Sequence, residues 1–141
     1  MLGDFPIYVD LPAADLARAR AWYERVLGLQ PLTELGTGLL YVSGGVPFLL
    51  YETTAAGSAM NTAASWIVDD LERIMAELRA LGIEFQDYPI GDSGPSTVDG
   101  VARLSNGGRA AWFKDSEGNL LGINQLPAGA QLADLAPRRD A

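Results

Sequence analysis

The side chains available for chemistry in this sequence are mainly carboxylates and tyrosine hydroxyls, because its 141 residues include no histidine and no cysteine. Without histidine, the chain lacks the commonest general base and the commonest imidazole metal ligand. Without cysteine, it can form no disulfide, thiolate nucleophile or cysteine-based metal site. Acid–base catalysis near neutral pH would therefore need a carboxylate whose pKa is raised by burial.

The net negative charge of the chain limits the kinds of binding partner that we expect. The formal net charge is −8, Lys114 is the single lysine, and Arg138–Arg139 is the one basic cluster. Because nucleic acids and anionic membrane surfaces are bound largely through lysine and arginine, we expect neither as a partner. A small molecule or a second copy of the chain is expected instead. The sequence has no apolar run long enough for a membrane span and no secretory signal, so we expect a cytoplasmic protein.

Tyr8 and Asp10 would be positioned by a strand. They alternate with Ile7, Val9 and Leu11, which is the period-2 pattern of a half-buried strand. We expect Val9 and Leu11 to pack under the helix that follows, which leaves Tyr8 and Asp10 on the other face.

This first helix is predicted to begin after an N-cap at Asp15 and to end at Gly28. Its apolar face would consist of Leu16, Ala19, Tyr23, Val26 and Leu27. Short strands are expected at about 31–35, 39–43 and 46–53, separated by glycine-rich turns.

The chain then repeats this order of elements. A second strand is expected where Ala64, Trp66 and Val68 alternate with Ala63, Ser65 and Ile67. Asp69 and Glu72 fit a capping box, and Gly82 would end the second helix. Further strands are expected at about 83–88, 100–105, 109–115 and 119–125, the last two joined by a turn at Asp115–Asn119.

The repeat predicts an α+β fold of two βαβββ modules, with two curved sheets facing a shared cleft. We expect a single domain over residues 1–126, with module 1 at 5–53, a linker at 54–62 and module 2 at 63–126. Residues 89–99 form a candidate lid or ligand-contacting loop. Residues 127–141 are expected to be a poorly ordered tail.

The paired modules resemble the vicinal oxygen chelate superfamily, which includes glyoxalase I, bleomycin-resistance proteins, fosfomycin-resistance enzymes and extradiol dioxygenases. The resemblance covers residues 5–126. It is carried by the two strand-to-helix starts, the end of the first helix and the closing turn, at Val9–Leu16, Trp66–Leu71, Trp22–Leu29 and Phe113–Leu121. It implies the fold and says little about the reaction, because one fold can host many chemistries.

The resemblance also indicates four strand positions where metal-dependent members of the superfamily carry ligands. In this chain, three of them are Tyr8, Ala63 and Gly122. The fourth falls near Tyr51, with Leu50 or Glu52 as the alternatives if the strand register differs. Alanine and glycine offer no ligand, and a neutral tyrosine is a poor one, so we expect no metal and no other cofactor.

We expect the residues on the cleft face to contact an organic ligand. Small residues at 63 and 122 would leave volume open, and aromatic side chains would wall it. Trp112 alternates with Phe113, and we assign Trp112 to the cleft and Trp66 to the core. The predicted ligand-binding residues are Tyr8, Asp10, Tyr51, Ala63, Ser65, Trp112, Gly122 and Asn124.

Three functional hypotheses follow from this pattern. The first is a metal-free homodimer, similar to bleomycin-resistance proteins, that binds a small aromatic or bulky molecule for sequestration or resistance. The second is a metal-independent isomerase or cyclase, in which Asp10 or Glu52 acts as general base and a tyrosine hydroxyl as acid. The third is a scaffold subunit with an occluded cleft. A metal-dependent lyase or dioxygenase ranks behind the first two.

Overall fold

The computed structural model describes residues 1–88 and 96–131. Residue contacts divide the chain into two compact units. Unit 1 consists of Met1–Ala64 and Lys114–Leu120, and unit 2 consists of Ser65–Phe113 and Leu121–Ala141.

The first sheet has four strands in the order β1-β4-β3-β2. Strand β1 runs parallel to β4, whereas β3 is antiparallel to both β4 and β2. The elements in chain order are a short 3-10 helix at Leu2–Asp4, β1 at Val9–Ala13, α1 at Leu16–Leu27, β2 at Thr33–Leu35, β3 at Gly38–Ser43 and β4 at Val46–Glu52.

The second sheet has five strands in the order β5-β9-β8-β7-β6. The elements that follow β4 are β5 at Thr62–Ile67, α2 at Leu71–Ala80, β6 at Thr97–Val98, β7 at Val101–Arg103, β8 at Arg109–Lys114 and β9 at Leu120–Gln125. The predicted α+β architecture, in which a strand–helix–strands order occurs twice, is therefore present.

Helix α1 forms as its sequence predicts. The Asp15 carboxylate accepts a hydrogen bond from the Arg18 N–H at 2.9 Å, and Gly28 adopts a left-handed φ of 67° just after the helix. Tyr23 is buried among aromatic rings, with ring centroids 5.8 Å from Tyr41 and 6.1 Å from Phe48. This aromatic cluster anchors α1 on the first sheet.

Helix α2 begins one residue later than the predicted capping box. The N-cap is Asp70, whose carboxylate accepts from the Arg73 N–H at 3.0 Å. Asp69 forms an ion pair with the Arg73 guanidinium, and Glu72 pairs with Arg109. The carboxylates of both members of the predicted capping box therefore pair with arginine side chains and not with backbone N–H groups at the start of the helix.

Residues 83–88 do not form the strand that their alternation predicts. One isolated antiparallel bridge joins Phe85 to Phe113, with the Gln86 N–H donating to the Trp112 carbonyl at 2.8 Å. The strand at Thr97–Val98 was not predicted, since those residues lie in the loop assigned to 89–99. Residues 89–95 of that loop and 132–141 of the predicted tail lie outside the described residues.

The expected burial of Val9 and Leu11 is correct at one of the two positions. Leu11 is fully buried, but Val9 remains 42% exposed. The strand also begins later than the alternation suggests, at Val9 rather than Ile7. Only the C-terminal half of the predicted apolar face is therefore covered within the chain.

Candidate functional site

In unit 1, strand register shows which predicted site residues share a face. Phe48 and Leu50 of β4 are buried, so side-chain alternation places Tyr51 on the opposite face. Asp10 of β1 pairs with Leu49, which lies on that same face. Asp10 and Tyr51 therefore face the same way.

The register also shows which faces of β4 the three alternatives for the fourth position occupy. Leu50 lies in the core, and Glu52 falls at the exposed end of β4 on the same side as Leu50. The two candidate bases, Asp10 and Glu52, thus project from opposite faces of one sheet. Tyr8 precedes β1 and is 53% exposed.

In unit 2, three predicted site residues come together on neighbouring strands. Ser65 of β5, Gly122 of β9 and Trp112 of β8 are adjacent across the sheet. A Cβ atom built on Gly122 would lie 2.5 Å from the Ser65 hydroxyl oxygen and 3.5 Å from Trp112 Cδ1. The expectation of open volume at Gly122 is wrong at this point, because the Ser65 hydroxyl occupies the space.

The assignment of Trp112 and Phe113 to opposite faces agrees with their burial. Phe113 is fully buried and lies edge-on to Phe85, with centroids 5.7 Å apart. Trp112 is only partly buried, on the other face of β8. Asn124 of β9 is two residues from Gly122, so alternation places it on the face of Ser65 and Trp112. Ala63 likewise shares a face of β5 with Ser65, two residues away.

Tyr88 is the aromatic residue that sequence reasoning missed at this face. Its ring meets Trp112 edge-on, with centroids 5.7 Å apart and an interplanar angle of 80°. The alternation in residues 83–88 could have indicated this contact, because it places Tyr88 on the face opposite to the buried side chain of Phe85. An indole with a phenol at its edge gives a partly exposed aromatic surface beside the Ser65 hydroxyl.

Hydrogen bonds at the neighbouring strand hold Tyr88 in place. The Tyr88 N–H donates to the Thr97 hydroxyl oxygen at 2.7 Å, and the Thr97 N–H donates to the Tyr88 carbonyl at 3.0 Å. The Thr97 hydroxyl in turn donates to Asp87 at 2.7 Å. This bond and a second one from the Gly100 N–H lower the pKa of Asp87. These bonds join the backbone of Tyr88 to the strand at Thr97–Val98.

A buried polar cluster in unit 1 has a structural explanation instead. Burial raises the pKa of Glu117, but bonds from the Arg18 guanidinium, the Asp15 N–H and the Ser116 hydroxyl outweigh burial and lower that pKa to about 2. The partners of Glu117 all belong to the same unit. The cluster fixes the turn at 115–119 to α1.

A cavity in unit 2 includes none of the residues of the Trp112 face, namely Ser65, Tyr88, Trp112, Gly122 and Asn124. It is a groove of about 440 Å³ in unit 2, lined by Ile67, Val68, Asp69 and residues 125–131. Its lining includes neither an aromatic residue nor a predicted site residue. The Trp112 face offers the better surface for a planar ligand.

A sequence model of the Glyoxalase/Bleomycin resistance protein/Dioxygenase superfamily matches residues 7–123. The chain belongs to this superfamily. The match includes the whole of both helices and every residue of the Trp112 face except Asn124. No curated protein matches the chain.

Solved structures of this superfamily share the fold at low sequence identity. Lactoylglutathione lyase from Agrobacterium tumefaciens is 20% identical with a TM-score of 0.64, covering 86% of this chain and 92% of that chain. The fosfomycin resistance protein FosX from Listeria monocytogenes is 15% identical with a TM-score of 0.64, covering 94% and 98%. A glyoxalase/bleomycin resistance protein from Catenulispora acidiphila is 19% identical with a TM-score of 0.60, covering 87% and 99%.

The described residues include no group of carboxylates that fits a divalent catalytic metal. A FosX structure is described as a complex with Mn(II). In the part of the chain that the structure describes, no three aspartate or glutamate side chains form a group that could hold a metal ion. Ala63 and Gly122 supply no donor atom at the positions where ligands are expected, and such metals need about three protein ligands.

Within the described residues, no helix has the length and apolar character of a membrane span.

Proposed function

We propose that this superfamily member binds a small aromatic or bulky organic molecule without a metal, as a homodimer of the sequestration or resistance type. The observation that carries the proposal is the Trp112–Tyr88 pair beside Ser65 on one face of the second sheet. Partly buried aromatic rings with a few polar groups are the usual lining of sites for organic ligands.

Binding to this face would come mainly from burial of apolar surface. Apolar area removed from water contributes about 25 cal/mol per Å², and a favourable aromatic pair adds about 1 kcal/mol. Because the Tyr88 backbone is already hydrogen-bonded to Thr97, less ordering of the backbone is required when a ligand binds. The Ser65 hydroxyl and the Asn124 amide would supply polar contacts.

The proposed ligand contacts fall into two groups. In unit 1 they are Tyr8, Asp10, Tyr51 and Ala63, and in unit 2 they are Ser65, Trp112, Gly122 and Asn124. The metal-independent enzyme has less support. A carboxylate base near neutral pH requires burial, whereas Asp10 and Glu52 are exposed and project from opposite faces.

Fluorescence titration tests the proposal directly. In a Trp22→Phe/Trp66→Phe protein, Trp112 is the remaining tryptophan and reports on its own surroundings. We expect at least one compound from a panel of glycopeptides, quinones and polyketides to quench it with saturable binding. Tyr88→Ala should then weaken that binding by about tenfold, which corresponds to about 1.4 kcal/mol.

A Trp112→Phe protein that keeps Trp22 and Trp66 is the control. In a Trp112→Phe protein, the same compound should produce no saturable quenching of Trp22 and Trp66. A flat response across the whole panel, or quenching that survives unchanged in Trp112→Phe, would contradict the proposal.

A further inference from the structure

The chain turns back on itself just after β9. The Ala130 N–H donates to the Pro127 carbonyl at 3.0 Å, and Gly129 has a φ of 81°. A positive φ at the third residue of a four-residue turn is typical of a type II turn, and glycine adopts it without strain. The chain therefore reverses its direction at residues 127–130, and Gln131 lies in the lining of the groove of unit 2.

The groove beside this turn is mainly apolar. Its apolar lining residues are Ile67, Val68, Leu126, Pro127, Ala128 and Ala130. Ile67, at the end of β5, is 44% exposed. The groove has a volume of about 440 Å³, which is the space that roughly 15 water molecules occupy in the liquid. Apolar side chains are a more favourable content than this water, because they remove the apolar lining from solvent.

The residues that follow Gln131 have the composition of such an occupant. They lie outside the described part of the chain, and their sequence is Leu-Ala-Asp-Leu-Ala-Pro-Arg-Arg over 132–139. An apolar half with leucines at 132 and 135 thus precedes the pair Arg138–Arg139. Because the segment is joined directly to a lining residue, contact with the groove closes only a short loop and costs little chain entropy.

The charges at the rim of the groove complement the basic end of this segment. Three carboxylates lie together at the start of α2, namely those of Asp69, Asp70 and Glu72. They outnumber the arginines that pair with them, since Arg73 binds Asp69 and Arg109 binds Glu72. Arg138–Arg139 is the only pair of adjacent basic residues in the chain. Its positive charge is attracted to a rim that is negative overall.

We propose that residues 132–139 bind in this groove, with Leu132 and Leu135 against Ile67 and with the two arginines toward the carboxylates at the start of α2. Chain ends are poorly ordered unless contacts tie them down, and these contacts would do so. This departs from the poorly ordered tail that composition alone predicts. Alternation places Ile67 on the same face of β5 as Ser65, so the bound segment would lie beside the Trp112 face.

Disulfide trapping in the full chain tests the proposal. Because the chain has no cysteine, Ile67→Cys and Leu135→Cys together supply its only two thiols. A disulfide requires Cα atoms within about 7 Å of each other. At low protein concentration and with oxidised glutathione as the oxidant, we expect an intrachain disulfide, measured by mass spectrometry as the loss of two hydrogen atoms.

Adding Leu132→Asp to this protein separates binding from simple tethering, because an unbound tether of the same length would react at the same rate. Leu132→Asp should slow disulfide formation about tenfold or more, since it would place a charge in an apolar groove. Arg138→Glu/Arg139→Glu should slow it about threefold, as expected for exposed ion pairs.

Leu32→Asp is the matched control, since it makes the same charge change at an exposed leucine of unit 1. It should leave the rate unchanged. A rate that Leu132→Asp also leaves unchanged would overturn the proposal. So would a disulfide that joins two copies, because the groove would then hold a second chain. Neither result would affect the fluorescence titration, which decides ligand binding independently.

Discussion

Two buried tyrosines in unit 1 differ in whether their hydroxyl groups form a hydrogen bond. The Tyr23 hydroxyl donates to the Asp115 carboxylate at 2.8 Å, and burial together with that carboxylate raises the pKa of Tyr23. The Tyr41 hydroxyl is also buried, but among the described residues it has no hydrogen-bond partner. The helical pattern predicted the burial of Tyr23, whereas its partner 92 positions away could not be read from local sequence.

We predict that removing the Tyr23 hydroxyl destabilises the fold, whereas removing the Tyr41 hydroxyl does not. Tyr23→Phe should lower the free energy of unfolding by about 1–3 kcal/mol, because Asp115 loses a buried donor. Tyr41→Phe should leave it within about 0.5 kcal/mol of the wild-type value or raise it, because it removes an unpaired buried hydroxyl. Urea denaturation at pH 7 measures both. A larger loss for Tyr41→Phe than for Tyr23→Phe would contradict this account.

At the scale of elements, the closing turn is attached to α1 through Glu117. Its side chain has no solvent-accessible surface and binds the Arg18 guanidinium at 2.9 Å. The same carboxylate accepts from the Asp15 N–H at the start of the helix. Sequence patterns predicted the turn at 115–119 and the N-cap at Asp15, because both depend on near neighbours. They missed this link, which joins residues about 100 positions apart.

Glu117 should make stability depend on pH in the acid range. Its folded pKa is about 2, below the ordinary value of 4.5, so the charged form stabilises the fold above pH 4.5. This contribution is lost as the pH falls from about 4.5 to about 2, because the unfolded chain then binds the proton first. Glu117→Gln should be about 2–3 kcal/mol less stable at pH 7.

Chemical denaturation at several pH values measures this difference. The gap between the wild-type and Glu117→Gln proteins should close as the pH approaches 2. Glu77→Gln is the control, because Glu77 is an exposed partner of Arg73 and should change stability by less than about 0.5 kcal/mol. A gap that stays constant down to pH 2 would rule out the role given to Glu117.

The same scale shows where pattern reading failed. Residues 83–88 alternate as a strand does, but they are held by a single bridge and by main-chain bonds to Trp112 and Thr97. The N-cap lies one residue later than predicted, at Asp70, and the carboxylates of the predicted capping box pair with Arg73 and Arg109 instead. Hydrophobic periodicity indicates which side chains face the core, but it does not indicate which partner a polar group will bind.

At the scale of the whole molecule, the duplicated order of elements predicted the α+β architecture, and the superfamily was expected from the resemblance of the strand-to-helix starts and the closing turn. Long amphipathic helices with caps and paired strands are the most reliable patterns in a sequence. The candidate site was predicted less completely. Ser65, Trp112 and Gly122 do come together, but the contact of Tyr88 and the hydroxyl over Gly122 depend on pairing between distant strands.

The proposed binding without metal is tested most directly by a calorimetric titration. The strongest ligand from the fluorescence panel is titrated into protein treated exhaustively with a chelator, and again after addition of Mn²⁺, Zn²⁺ or Ni²⁺. We predict the same stoichiometry and the same Kd in every case, because Ala63 and Gly122 supply no metal ligand. Binding that disappears in the chelated protein and returns with one stoichiometric metal ion would contradict the account.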